Sequence, residues 1–156
     1  MWQIDIPGFK YLEIENLIFD FNGTLAIDGA LIPGVKEILT ELSQSFHLFI
    51  VTADTFGKAA EQAKEIPCKL EILPAGDQAK AKRQMVRKLG QNRCIAVGNG
   101  RNDQLMLEEA AIGIVVLQEE GASTATLLHA DVVCRTIFDA LNLLKYPRRL
   151  IATLRA

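Results

Sequence analysis

Leu17-Ile18-Phe19-Asp20-Phe21-Asn22-Gly23-Thr24-Leu25 sets an apolar run against a carboxylate and a Gly-Thr turn. Leu17 to Phe19 suit a buried strand, so Asp20 is expected at the strand's C-terminal edge, where open α/β sheets keep their ligands. Past Asp20 the backbone curls so that its N–H groups can face an anion, and Gly23 allows a close approach that a side chain would block. Such a geometry suits a carboxylate attacking phosphorus. An Asp followed by Gly-Thr also begins ordinary turns, so the rest of the chain has to decide.

Upstream, Trp2-Gln3-Ile4-Asp5-Ile6 alternates apolar with polar, Pro7-Gly8 signals a turn, and Tyr11-Leu12-Glu13-Ile14 follows. This reads as an N-terminal β-hairpin that extends or covers a sheet edge. Downstream, Ala26 to Ile32 turns on Asp28-Gly29 as a short flap beside the proposed site. Pro33-Gly34 then opens a helix with Val35, Ile38, Leu39 and Leu42 on one face, which returns the chain to a strand at Phe46 to Val51. The alternation continues through a helix from 56 to 64, a strand from 70 to 73, a helix from 78 to 89 and a strand from 94 to 97. A helix near 103–110, a strand at 113–117, a helix near 122–128, a strand at 131–134 and helical residues from Ile137 complete it. The pattern predicts a three-layer α/β fold on a parallel, Rossmann-like sheet.

The 156 residues suit one domain, 1–156. Hydrophobic residues at 49% and charged residues at 23% are an ordinary globular composition, and a net charge of −2 gives no electrostatic case for nucleic acid. Cys68, Cys94 and Cys134 are an odd number without CxxC spacing, which fits a reducing cytoplasm. Asp5 and Lys10 interrupt any signal-peptide pattern, and no apolar run reaches the ~20 residues that span a bilayer. A soluble protein without a membrane partner is expected. At the C-terminus, Pro147 suits the start of a last helix with Leu150, Ile151 and Leu154 on one face, expected to dock on the body or on another subunit rather than on lipid.

Three further places carry chemistry. Phe49-Ile50-Val51-Thr52-Ala53-Asp54 is a second apolar run that ends in a small hydroxyl residue, which puts Thr52 on the same rim as Asp20 unless Thr52 or Asp54 simply caps the next helix. Lys80, Lys82 and Lys88 lie on one basic helix, and any of them could offset phosphate and carboxylate charge. Cys94 to Val97 leads into Gly98-Asn99-Gly100-Arg101-Asn102-Asp103, whose glycines permit a tight strand-to-helix turn and whose Asp103 could hold water or metal near Asp20.

In this order the blocks resemble the motifs of the haloacid dehalogenase superfamily. The block at Asp20 resembles the first, Asp-x-Asp-Gly-Thr, with Asn22 in place of the second Asp. The block at Gly98 resembles the fourth, Gly-Asp-x-x-Asn-Asp, with Asn99 in place of the Asp. Thr52 matches the second motif. Resemblance selects Lys82 over Lys80, because Met85, Val86 and Leu89 follow it with the family's apolar spacing. Together with Leu150 to Arg155, these blocks look most like the soluble P-type-ATPase-like group, over nearly the whole chain.

That resemblance implies a magnesium-dependent phosphohydrolase or phosphotransferase with Asp20 as nucleophile. Asp20, Phe21, Asn22, Gly23, Thr52, Ala53 and Lys82 would hold the phosphoryl group. Mg²⁺ would sit on Asp20, the Asn22 carbonyl and the Asn99 side chain, with Asp103 near by. A carboxamide has no proton to trade, so Asn22 forgoes general acid–base help typically worth ~10²–10⁴ in rate. Fast turnover of alkyl esters is therefore not expected, and a catalytically weak module that binds a phosphorylated ligand or a protein is the alternative. The Asp20-to-Thr52 and Thr52-to-Lys82 intervals leave no room for a cap domain, and the nucleotide-binding insertion and membrane helices of ion pumps have no counterpart. Capless relatives often form oligomers or act on large substrates, so the implied partners are a phosphorylated substrate and a second copy of the chain.

Overall fold

Residues 1–156 are all described by the computed structural model. The chain opens with an antiparallel hairpin, β1 (Trp2–Ile6) and β2 (Lys10–Ile14), in which Ile4, Ile6, Leu12 and Ile14 are buried and Gln3 and Asp5 face outward. It is a separate two-stranded sheet, so of the two expectations, extending a sheet edge or covering one, the first does not hold. The reason lies in Glu15, whose N–H reaches the Arg93 carbonyl and whose carbonyl receives the His47 N–H. Those bonds feed the chain directly into β3 (Asn16–Phe19) at the middle of the main sheet, leaving the hairpin beneath the strands' N-terminal ends.

After β3 comes the flap, β4 (Ala26–Ile27) and β5 (Ala30–Leu31), turning on Asp28 and Gly29, both at positive φ. Helix α1 (Val35–Leu42) buries Val35, Leu39 and Leu42 and leads to β6 (His47–Thr52). Helix α2 is shorter than the sequence pattern indicated, Ala59–Ala63, because Asp54 and Gly57 take left-handed backbone and delay its start. Next come β7 (Lys69–Ile72), α3 (Gln78–Leu89) with Asp77 accepting the Lys80 N–H as its cap, and β8 (Cys94–Gly98). The helix expected near 103–110 is a 3₁₀ turn, Arg101–Asp103, continuing as α4 (Gln104–Glu109). The chain ends with β9 (Ile112–Val116), α5 (Thr124–His129), β10 (Val132–Cys134), α6 (Ile137–Lys145) and α7 (Pro147–Leu154).

The main sheet is parallel, in the order β10-β9-β8-β3-β6-β7. Strand residues sort alternately to its two faces: Leu17, Phe19, Leu48, Ile50, Ile95 and Val97 meet α1, α6, α7 and the hairpin, while Ile18, Phe49, Val51, Cys94 and Ala96 meet α3 and α4. From β3 the chain first moves toward β7 and then crosses back to β8, so the crossovers part between β3 and β8. A crevice at the strands' C-terminal ends follows from that reversal. Only the flap and α1 lie between β3 and β6, and only α2 between β6 and β7, so no cap covers the crevice. No helix is long and apolar enough to cross a membrane.

The last helix docks on the body of the protein, as its apolar stripe indicated. Leu150 is fully buried, Ile151 and Leu154 pack beside it, and the Ala156 N–H reaches the Pro7 carbonyl. Leu150→Ala is therefore expected to lower unfolding free energy by about 2–5 kcal/mol in urea titration. An unchanged midpoint would contradict this docking.

Candidate active site

Asp20 stands one residue beyond β3, and its N–H still pairs with the Val97 carbonyl of β8 at 3.0 Å. Helix α3 brings Lys82 and Val86 to its buried face, one turn apart. The fully buried Lys82 ammonium donates at 2.7 Å to Asp20 Oδ1 and at 2.7 Å to Asp103 Oδ1, with Asn102 Oδ1 at 3.4 Å. Lys80 faces solvent and pairs with Asp77, and Lys88 is exposed, so Lys82 is the lysine that meets Asp20.

Two carboxylates share one ammonium here, away from water. Burial, reinforced by the Asp103 charge, pushes the Asp20 carboxyl up to about 7 despite the attraction of Lys82. Burial also opposes the Lys82 charge, but Asp103 and Asp20 together hold that amine above its usual range, so it stays protonated.

Asp103 is fully buried and organises the fourth-motif loop: its Oδ2 accepts the N–H groups of Asn99 and Gly100, each at 2.9 Å. Gly98 makes this possible, since a Cβ there would lie 2.6 Å from Asp103 Cγ. With Oδ1 on Lys82, both Asp103 oxygens are hydrogen-bonded, and the side chain ties the loop to the lysine.

Asn99 donates from Nδ2 to the Gly121 carbonyl at 3.0 Å, which turns its Oδ1 toward Thr24. The Thr24 hydroxyl lies 3.2 Å from that oxygen and 3.4 Å from Asp20 Oδ2, and its one proton serves one of them at a time. First-motif and fourth-motif loops touch at Gly23, where a Cβ would come 2.4 Å from Asn99 Nδ2.

The anion-facing backbone expected after Asp20 is only partly present. The Phe21 carbonyl takes the N–H groups of Thr24, Leu25 and Ala26, and the Gly23 N–H goes to the Ala26 carbonyl, so this tight curl consumes the Gly23 donor. The Asn22 N–H has no internal acceptor, and Asn22 Oδ1 is buried with no hydrogen-bond partner. Thr52 is buried at the end of β6, and its Oγ1 accepts the Asp54 N–H at 3.0 Å, leaving the hydroxyl proton to be donated elsewhere. Ala53 is half-buried beside it. The capping role weighed for Asp54 is real: its Oδ1 accepts the Ala59 N–H at 2.9 Å.

Thr24 and Asn102, which lie inside the blocks at Asp20 and Gly98, join the site without having been expected there. Asn102 links Lys82 to Gln78, with Nδ2 3.2 Å from Gln78 Oε1. A polar residue sharing a strand-end loop with a candidate nucleophile was the available signal.

This fold is that of the haloacid dehalogenase superfamily hydrolases. A 3-deoxy-D-manno-octulosonate 8-phosphate phosphatase from Moraxella catarrhalis, crystallised with magnesium, phosphate and KDO, superposes with TM-score 0.70 at 21% identity, over 91% of this chain and 94% of that one. A putative HAD superfamily (subfamily III A) hydrolase from Legionella pneumophila gives TM-score 0.72 at 15% identity, over 90% and 87%. In sequence, the chain is 46% identical over 39 residues to the uncharacterized protein MJ0072 of Methanocaldococcus jannaschii, 25% of this chain and 89% of that protein. It belongs to the family of that protein. The uncharacterized protein MJ0073 of the same organism is 51% identical over 61 residues, 39% of this chain, and the match spans 66% of that protein's length. No family model matches the chain.

The raised Asp20 carboxyl has a stability consequence with a definite sign. Folded protein holds this proton more tightly than unfolded chain, so in metal-free buffer stability falls as pH rises from about 4 to about 7. Asp20→Asn removes that loss, leaving a flatter profile over this pH range. Parallel profiles for the two proteins in thermal scans would contradict the buried, proton-sharing arrangement.

Proposed function

We propose that the protein is a magnesium-dependent phosphohydrolase or phosphotransferase working through a phosphoaspartate on Asp20. The observation that carries this reading is the clamp on Asp20. Lys82 fixes Oδ1 at 2.7 Å, while Oδ2 meets only the distant Thr24 hydroxyl at 3.4 Å and is left as the reactive oxygen. Attack by Oδ2 on phosphorus forms the acyl phosphate as the bond to the leaving group breaks, and the leaving group keeps the electron pair. Thr52 has a hydroxyl proton to give to a phosphoryl oxygen, and the unpaired Asn22 N–H offers a second donor. Lys82 offsets part of the anionic charge throughout. Water attack on phosphorus then breaks the bond to Asp20 Oδ2 and restores the carboxylate; the Asn22 carboxamide cannot take the water's proton, which leaves on the released phosphate.

Divalent magnesium fits the donor set in one particular way. The oxygens at hand are Asp20 Oδ2, Asn99 Oδ1 and the Asn22 main-chain carbonyl, all hard donors, and the partnerless Asn22 Oδ1 marks a place made for something the chain itself does not supply. No cluster of three His, Cys, Asp or Glu forms a cage, so Mg²⁺ would be held jointly with substrate phosphate, which is its usual habit. When bound, it would neutralise charge on the phosphoryl oxygens.

Asn22 and Asn99 favour one second reading, a module that binds a phosphorylated ligand without turning it over. Leaving groups that need no proton, as in acyl phosphates, suit the first reading best, and a large substrate or a second copy of the chain would close the capless site. Phosphate release from acetyl phosphate and from an aryl phosphate, with Mg²⁺, separates the readings. Wild type should prefer acetyl phosphate, Asp20→Asn should release none, and Asn22→Asp should raise aryl ester hydrolysis about tenfold or more. Turnover retained by Asp20→Asn would remove the nucleophile, and phosphate binding without turnover of either donor would establish the binding module.

A further inference from the structure

Beyond the motif blocks, the segment that follows β9 grips both loops of the site. Gln118 is half-buried, and all of its hydrogen-bonding groups are used. Its Nε2 donates to the Gly23 carbonyl at 2.9 Å and the Thr24 carbonyl at 2.6 Å, while its Oε1 accepts the Ile137 N–H at the start of α6 at 3.0 Å. Its own N–H reaches the Arg135 carbonyl, and its carbonyl accepts the Gly121 N–H. Three residues on, the Gly121 carbonyl holds Asn99 Nδ2, and the Ser123 N–H holds the Asn99 carbonyl.

These bonds have a directional effect on the site. A carboxamide can present nitrogen or oxygen, and the Gly121 carbonyl can only accept, so Asn99 gives it nitrogen and presents oxygen to Thr24. Gln118 does the matching work on the other loop. It holds the Gly23 and Thr24 carbonyls and so braces the curl that carries the Asn22 N–H and the Thr24 hydroxyl. The Gly23, Thr24, Leu25 and Ala26 N–H groups are already spent on Phe21 and Ala26, so none of those four can take its place.

We propose that Gln118 is a positioning residue for phosphoryl transfer. It acts through the Gly23 and Thr24 carbonyls to set the first-motif loop, while Gly121 on the same brace sets the Asn99 oxygen. The assignment of a reaction to that loop rests on the phosphotransfer reading above, whereas the brace itself stands on geometry. Two variants test it. Gln118→Met keeps the side-chain length but removes the donors and the acceptor; Gln118→Glu keeps an acceptor for Ile137 and turns an oxygen toward the two carbonyls.

Hydrogen exchange on the full-length protein, read peptide by peptide, should show faster exchange over residues 21–26 in both variants, with β3 and β8 as protected as in wild type. With acetyl phosphate and Mg²⁺, kcat per folded molecule should fall about tenfold or more with KM altered less than about twofold, as expected when reacting groups are misplaced rather than lost. Unchanged exchange over 21–26 would overturn the brace. Faster exchange with unchanged kcat, or a loss that merely tracks the unfolded fraction, would overturn the positioning role. A wild-type protein that turns over no donor defeats the phosphotransfer reading, and the exchange result then decides alone whether Gln118 sets the loop.

Discussion

One ammonium group shared between two carboxylates fixes the centre of this molecule. Lys82 is fully enclosed, and each of its short contacts belongs to a different part of the chain: Asp20 at the end of β3 and Asp103 in the turn after β8. Burying a charge is costly unless it is paired and hydrogen-bonded, so the three groups hold one another in place. Remove Lys82, and two carboxylates face each other without a counter-ion. Remove Asp103, and the turn at Asn99 and Gly100 loses the acceptor that shapes it. The sheet brings these elements together because its crossovers part between β3 and β8, and Gly23 and Gly98 let their loops close to distances that a Cβ would forbid.

Against that fixed centre, the two carboxamides change the chemistry more than the geometry. Asn99 keeps an oxygen on the site with no charge, which leaves fewer negative groups to repel an anion and fewer to retain a cation without one. Asn22 keeps an oxygen too, but one that no group in the chain satisfies. A buried acceptor without a partner is costly, and a donor or cation beside it removes that cost. On the proposed function, these two carboxamides would both slow hydrolysis.

The fold was legible because each buried strand is an apolar run and each ends in a turn residue. Strand β3 and helix α3 could be read almost to their ends for that reason. The hairpin was recognised but its docking left open, since alternation in Trp2 to Ile14 records which face is buried and not what it is buried against. Helix α2 was drawn too long, because no periodicity announces that Asp54 will adopt a left-handed backbone. Within the site, Asp20, Lys82 and Asn99 converge as their motif order indicated. Thr24 carried no role in the sequence pattern, and the curl expected to turn its N–H groups toward an anion spends the Gly23 N–H on the Ala26 carbonyl. Gln118 had no signal at all: its contacts lie 94 and 95 residues away and run to carbonyls, which every residue carries.

The central claim is that Asp20 becomes the phosphoryl carrier, and mapping a covalent adduct tests it most directly. Wild-type protein incubated with acetyl phosphate and Mg²⁺, quenched in acid and digested, should yield a single phosphorylated peptide that contains Asp20 and loses its label in mild alkali. A label on any other residue, or an unmodified protein that nevertheless releases phosphate, would contradict the account.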